Sequence, residues 1–482
     1  MKNKRSALWV PFVLTAAVGL VYHLLMQPMG GDDVFFREAT EGTTLWAYLA
    51  GRYQNWTSRV VSEFVLVTVI QCLPLWRLID FLMFASLPVV LSKYFEKSRL
   101  ICWCAAGAAL LFPFHDMGTA GWATTTVTHF WPFWCIFFVG MLVKKILSGE
   151  KIFWWELLIG IPACIVTGSH EQMAVILLFV LLMSTVSLFL KRKQDGDAGG
   201  RKCAGRRKRG GSAIGKKQDG DAGGRKFGGE EAQGPRGRAL ASLIFFWVID
   251  VISLAVIALC PGNAKRNAVS IADLPIYAEF DFGEKLYLGL LSIERVFLAN
   301  ADIVFFAVAL IWVLLVYEKT KDYKKTLVSS VPLLILFGQT VLRTAYPGLS
   351  GLFVMPDQIL SWSWGELSTW IPMVYLAAAV ASMLYALWQL FGESVGEYVC
   401  VLILLGLGFG AGAVLGFMAT IYVSGERVYA PLYGILLLVT IAAIEKQRGA
   451  VEACLKTTAG KLIATLLGLL CFVNVFFITL SV

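Results

Sequence analysis

The sequence predicts an all-α fold, a polytopic bundle of about thirteen transmembrane helices with an outer-face interfacial helix after the first span. Three observations predict it. The chain is 57% hydrophobic and 16% charged with a mean hydropathy of +0.69, outside the soluble range of roughly 45–50% apolar and 25% charged. Apolar runs long enough for a bilayer core of about 30 Å recur from end to end. The basic connections between them fall on one side if the crossings alternate.

The first run, 7–26, follows a basic start, Met1-Lys2-Asn3-Lys4-Arg5, and continues into Gln27-Pro28-Met29-Gly30 with no small-x-small cleavage site. It reads as a retained anchor. The further runs lie at 75–92, 100–113, 127–143, 152–168, 172–190, 239–260, 301–317, 326–343, 369–391, 398–423, 427–444 and 460–480. The basic connections are Lys2 with Lys4 and Arg5, then 93–99, 144–151, 191–238, 319–325 and 446–461. The positive-inside rule makes these, and the N-terminus, cytoplasmic. That holds if 28–92 makes one net crossing. Residues 56–73 are therefore read as an interfacial or protein-packed helix, since Arg59, Glu63 and Gln71 suit lipid poorly. Two true spans there would invert everything upstream.

The formal charge of +9 belongs to one segment. Residues 191–238 hold 15 of the 42 Lys and Arg and 6 of the 33 acids, an excess equal to that of the whole chain. They repeat Lys-Gln-Asp-Gly-Asp-Ala-Gly-Gly-Arg-Lys from Lys193 and again from Lys217. Such a composition cannot bury enough surface to fold, so a disordered cytoplasmic linker is expected, attracted to anionic lipid or a repeat expansion without function. The chain divides into an N-terminal membrane region (1–190, with an acidic outer loop at 27–57 and the interfacial helix at 56–73), the linker, and a C-terminal membrane region (239–482, with outer loops at 261–300 and 345–368). Nothing in this charge distribution points to nucleic acid.

With that topology five polar clusters share the outer face. Gly31-Asp32-Asp33 follows the first span, with Arg52, Trp56 and Arg59 behind it. Adjacent carboxylates can hold a divalent cation (Mg or Mn), or one can take a proton from a hydroxyl, or the pair simply caps a helix. The second cluster runs from His115-Asp116 through Trp122 and Thr124–Thr126 to His129-Phe130-Trp131, which suits sugar stacking and an aromatic belt equally. The third, Gly168-Ser169-His170-Glu171, joins two apolar runs. Ser169 as N-cap explains Glu171 well and His170 poorly. In the fourth, Pro261-Gly262-Asn263-Ala264-Lys265-Arg266, cations outside the membrane suggest an anionic partner, and a guanidinium suits phosphate; a solvated Pro-Gly turn is the alternative. The fifth is Gly425-Glu426-Arg427, where Arg427 is either a second phosphate ligand or the ion-pair partner of Glu426 or Glu366. No phosphate loop, dinucleotide fingerprint, nucleophile elbow or His-Glu-x-x-His pair occurs.

A retained first span, an acidic Gly31-Asp32-Asp33, Trp56 to Arg59, Gly121-Trp122 to Trp131, Gly168 to Glu171, Pro261-Gly262-Asn263 with Arg266, and Arg427 together resemble a bacterial family of multi-pass proteins related to the O-antigen glucosyltransferases, of the GT-C type that uses polyprenyl-phosphate sugars. The resemblance spans most of the chain outside the linker. His129-Phe130 stands where that pattern has an amide and a tyrosine, and His170 where an amide is commoner. The resemblance implies a bacterial cytoplasmic-membrane enzyme. It moves a sugar from a lipid phosphate or diphosphate to a cell-envelope glycan or other acceptor, with inversion. Asp32 or Asp33 is then the base, Arg266 and Arg427, with Arg52 or Arg59, hold the leaving phosphate, and Trp56, Trp122, His129, His170, Glu171 and Asn263 line the substrate. The alternative from another class is a transporter or flippase for lipid-linked glycans, which asks for polar residues at the midplane in paired halves.

Overall fold

The computed structural model describes residues 8–207, 234–346, 363–422 and 424–477. Helix is the regular structure throughout, with no strand among the described residues. The helices are α1 (Val10–Leu25), α2 (Asp32–Glu38), α3 (Leu45–Asn55), α4 (Val60–Val69), α5 (Leu73–Ser92) and α6 (Arg99–Leu111). Next come α7 (Trp122–Ser148), α8 (Trp154–Gly168), α9 (Glu171–Arg207), α10 (Gly234–Ala258), α11 (Pro261–Asp273) and α12 (Phe282–Glu294). The chain continues as α13 (Ile303–Thr320), α14 (Tyr323–Ser329), α15 (Val331–Ala345), α16 (Leu367–Phe391), α17 (Val395–Ala413), α18 (Ala430–Lys446), α19 (Arg448–Cys454) and α20 (Thr458–Phe472).

Nine helical stretches among the described residues are long and apolar enough to cross a bilayer, or ten if α14 and α15, bent by 54°, act as one. The rest of the expected thirteen fall on α1, α6 and α8, whose 16, 13 and 15 residues reach only about 20–24 Å at 1.5 Å per residue. Helix α4, inside the expected interfacial helix, has 10 residues and reaches about 15 Å, half a bilayer core. It begins and ends inside the expected 56–73 because 73–75 already belong to α5.

Two stretches expected as loops are helical. Residues 27–57 hold α2 and α3, the latter capped by Thr44, whose Oγ1 accepts from Ala47 N at 3.3 Å. Residues 261–300 hold α11 and α12, the latter opened by a reciprocal Asp281–Glu284 capping box. In the basic linker the backbone of 191–207 continues α9 and that of 234–238 opens α10, rather than the unstructured chain expected. Its middle, 208–233, and most of the expected outer loop 345–368 lie outside the described residues.

The N-terminal helices pack as α1 on α5 and α6, and as α7 against α5, α8 and α9, with α10 against α8 and α9. In the C-terminal set α13 packs on α16 and α18, and α17 on α12 and α18. Helix α18 joins the sets by lying on α6 and α7. It does so closely at Gly434, where a Cβ would come within 2.5 Å of the Phe133 ring. The outward faces are apolar, as at Leu24, Leu158, Phe337 and Leu462, each at least 60% exposed. Water would penalise such faces and lipid does not, so the chain is a multi-pass membrane protein.

Three polar side chains inside the spans of the N-terminal set pair with one another. His23 of α1 donates through Nδ1 to Gly19 O at 2.7 Å, and its Nε2 meets Asp80 Oδ2 of α5 at 2.9 Å. The other Asp80 oxygen accepts from Trp131 Nε1 of α7 at 2.7 Å. All three side chains are buried, so this triad ties three helices together where hydrocarbon offers no substitute partner.

Candidate functional site

The two adjacent aspartates have different environments. Consecutive residues on a helix point about 100° apart, and here Asp33 faces inward and Asp32 outward. Asp33 is fully buried. Its carboxylate accepts from Met29 N (3.1 Å), Ala123 N (3.3 Å), Thr124 N (2.8 Å) and Thr124 Oγ1 (2.8 Å). It therefore neutralises the free N–H groups at the start of α7, as a cap supplied from a distant segment. Gly31 has φ 55° and Gly121 φ 103°, and a Cβ on Gly121 would sit 2.5 Å from Asp33 Oδ1; both positions need glycine.

Arg52 and Arg59 are tied to carboxylates. Arg52 binds Glu63 with Nε at 2.7 Å and Nη2 at 2.6 Å, while its guanidinium lies 5.5 Å from the Trp56 ring centre. Arg59 binds Glu171 at the start of α9 with Nε at 2.8 Å and Nη2 at 2.7 Å. Ser58 Oγ donates to the other Glu171 oxygen at 3.2 Å. Ser169 is not the N-cap of α9: its hydroxyl meets Ser62 Oγ at 2.8 Å and donates to Val166 O at 2.8 Å.

The Pro-Gly-Asn segment docks α11 on the end of α3. Gly262 lies so near the backbone that an added Cβ would be 2.6 Å from Tyr53 O and 2.8 Å from Thr57 N. Asn263 accepts from Ser58 N at 3.2 Å and donates to Ile257 O at 3.2 Å, and Lys265 Nζ donates to Asn55 Oδ1 at 2.9 Å. This docking carries Arg266 beside Arg52, Arg59 and Glu171. Among the described residues nothing accepts a hydrogen bond from the Arg266 guanidinium. Burial, followed by the charge of Arg59, pulls its pKa below the ordinary arginine value.

Arg427 approaches the same place. Its Nη1 donates to Thr119 Oγ1 at 2.6 Å, so neither Glu426 nor Glu366 is its ion-pair partner. Asp32, Arg59 and Asp116 are the charges around it. Glu426 turns instead to Asn300, whose Nδ2 donates at 3.2 Å.

Between the arginines sit two buried imidazoles, His170 Nε2 lying 3.4 Å from His129 Nδ1. Burial, reinforced by Arg59, pushes His170 down to about 3, so its ring is neutral near pH 7. Its Nδ1 is buried with no hydrogen-bond partner.

The structure thus gathers Asp32, Arg59, His129, His170, Glu171, Arg266 and Arg427. Arg52 and Trp56 form the adjoining wall. Asp33 and Asn263 act as fastenings behind the site, and Trp122, 7% exposed, packs against Tyr22 and Phe114 in the aromatic core. Thr119 and Ser58 hold Arg427 and Glu171 but carry no sequence signal beyond being hydroxyls in turns. A metal held by Asp32 and Asp33 together does not fit, because the Asp33 oxygens already take four donors. No group of three His, Cys, Asp or Glu among the described residues is placed to hold an ion.

Comparison with protein-family models, curated proteins and solved structures finds no match for this chain.

Proposed function

We propose that the chain is a GT-C type membrane glycosyltransferase of the bacterial cytoplasmic membrane, with about thirteen spans counting the short helices, a cytoplasmic N-terminus and its site on the outer face. The observation that carries this reading is the contrast among four arginines. Arg52 and Arg59 are neutralised by Glu63 and Glu171, whereas Arg266 and Arg427, each near Arg59, form no salt bridge among the described residues. Two partly buried guanidinium groups left unpaired are costly unless an anion joins them, and a phosphate matches their planar donor geometry.

The donor is a sugar on a polyprenyl phosphate or diphosphate, and the acceptor is a hydroxyl of an envelope glycan or other molecule. The acceptor oxygen forms its bond to the anomeric carbon from the face opposite the phosphate. The bond from that carbon to the phosphate oxygen breaks, giving inversion, and the hydroxyl proton passes to Asp32, the exposed carboxylate beside Arg427. Arg266 and Arg427 stabilise the charge growing on the leaving phosphate. The neutral imidazoles of His129 and His170, with Glu171, supply hydrogen-bonding groups for the sugar. No step is routed through a divalent cation.

The test is incubation of the purified protein with a panel of polyprenyl-phosphate sugars, reading release of the lipid phosphate. Release by wild type and its loss in Arg266→Ala supports the reading, and equal turnover by both defeats it.

A transporter or flippase of lipid-linked glycans has one observation in its favour. Asp250 of α10 is fully buried and both of its carboxyl oxygens lack a hydrogen-bond partner, as expected of an ionisable group on a translocation path. Flipping of a labelled lipid-linked glycan in proteoliposomes by wild type but not by Asp250→Asn would favour that reading.

A further inference from the structure

Beside Arg427 lies a group of carboxyls that the transfer chemistry does not use. Asp116 belongs to the short turn Phe114–Gly118 before α7 and is 6% exposed. Its Oδ1 lies 3.3 Å from His115 Nε2, and its Oδ2 is buried with no hydrogen-bond partner. His115 offers no compensating charge, because burial pushes it down to about 4. Asp302, the N-cap of α13, accepts from Phe305 N at 2.6 Å through one oxygen and from the Tyr433 hydroxyl at 2.9 Å through the other. Asp116, Asp302 and Glu426 all act on that Tyr433 hydroxyl.

The surroundings do not neutralise three anions. The start of α7 contributes His129, residues 473–476 contribute no charge, and the Glu426–Tyr429 turn contributes Glu426, Arg427 and Tyr429. Arg295 stands beside Glu426, and Asp32 lies on the other side of Arg427. Like charges that act on a buried carboxyl lacking a donor disfavour its ionisation.

We propose that the buried Asp116 and the half-buried Asp302 form a proton-binding site beside Arg427 that retains a proton at neutral pH and releases it in alkali. An ionised Asp116 oxygen without a donor is far costlier than the neutral acid. Burial first, then the carboxylates of Glu426 and Asp302, raises Asp116 to about 8, and burial raises Asp302 to about 7. Below those values Arg427 faces a neutral neighbour; above them it faces an anion.

The test is infrared difference spectroscopy on the purified full-length protein in nanodiscs, stepping from about pH 6 to about pH 10, two units either side of the Asp116 value. The expected result is loss of a protonated carboxylic-acid carbonyl band on raising the pH, with that band diminished in Asp116→Asn and in Asp302→Asn. Asp116→Glu, which keeps a carboxyl and is the fallback should the Asn variants fail to fold, shifts the band. A wild-type spectrum lacking any such pH-dependent band overturns the proposal, as does a band that none of these variants alters. The measurement needs no substrate, so its outcome is separate from that of the lipid-phosphate assay.

Discussion

Arg59 and Glu171, 112 residues apart in sequence, meet through two guanidinium nitrogens, Nε at 2.8 Å and Nη2 at 2.7 Å from Glu171 Oε2. The pair fixes the start of α9 against the turn before α4. Because both side chains are about a quarter exposed, its contribution is well below that of a fully buried pair. Glu171→Gln is expected to cost roughly 1 kcal/mol, read as a modestly lowered melting temperature in detergent. No change in melting would remove the pair from the fold's supports.

Asp32 and Asp33 are expected to separate experimentally. Asp33→Ala leaves three backbone N–H groups and a hydroxyl without their acceptor, and at about 1–3 kcal/mol for a group left unsatisfied the protein should express poorly or melt early. Asp32→Asn is expected to fold within about 0.5 kcal/mol of wild type and to slow sugar transfer on the order of 100-fold or more. The reverse pattern would move the base from Asp32 to Asp33.

Among the arginines, Arg266→Ala and Arg427→Ala are each expected to slow lipid-phosphate release by roughly 100- to 1,000-fold with little change in melting. Arg52→Ala should show the opposite balance, since it strands Glu63, whose side chain is 5% exposed. Comparing turnover with melting temperature for the three variants decides the matter.

The pH dependence of stability carries a sign. The folded His170 resists protonation down to about 3, whereas an unfolded histidine takes a proton near 6.5. Its contribution is therefore present above about pH 6.5 and is lost as the pH falls toward 3, at up to about 1.4 kcal/mol per unit. His170→Gln should flatten the decline in melting temperature between about pH 7 and about pH 5, and an unchanged slope would assign it to other groups.

Much of the membrane architecture was legible in the sequence, because twenty apolar residues in a row have few other uses. The run at 301–317 became α13 and that at 369–391 became α16. Length was less legible than polarity, since some apolar runs form helices shorter than the bilayer core, as in α6. The loops were less legible, since 27–57 and 261–300 have mixed polarity yet fold into helices held by distant partners. At the site, Arg266 and Arg427 could be read as unpaired cations, but nothing local shows that Arg52 meets Glu63 or that Arg427 meets Thr119. The inward turn of Asp33 is equally hidden, because its donors lie some ninety residues away. Asp116 and Asp302 come near one another only through α18, which packs on both α6 and α13.

The His23–Asp80–Trp131 triad also bears on how the protein is made. Helix α1 leaves the ribosome before α5 and α7, carrying a histidine whose carboxylate partner belongs to α5 and whose third member belongs to α7. Until both follow, α1 holds a polar ring with nothing in lipid to satisfy its Nε2. Helix α1 therefore enters the bilayer ahead of its partners and settles only after they follow, and Asp80→Ala should leave newly inserted chains open to membrane proteases before it disturbs any chemistry.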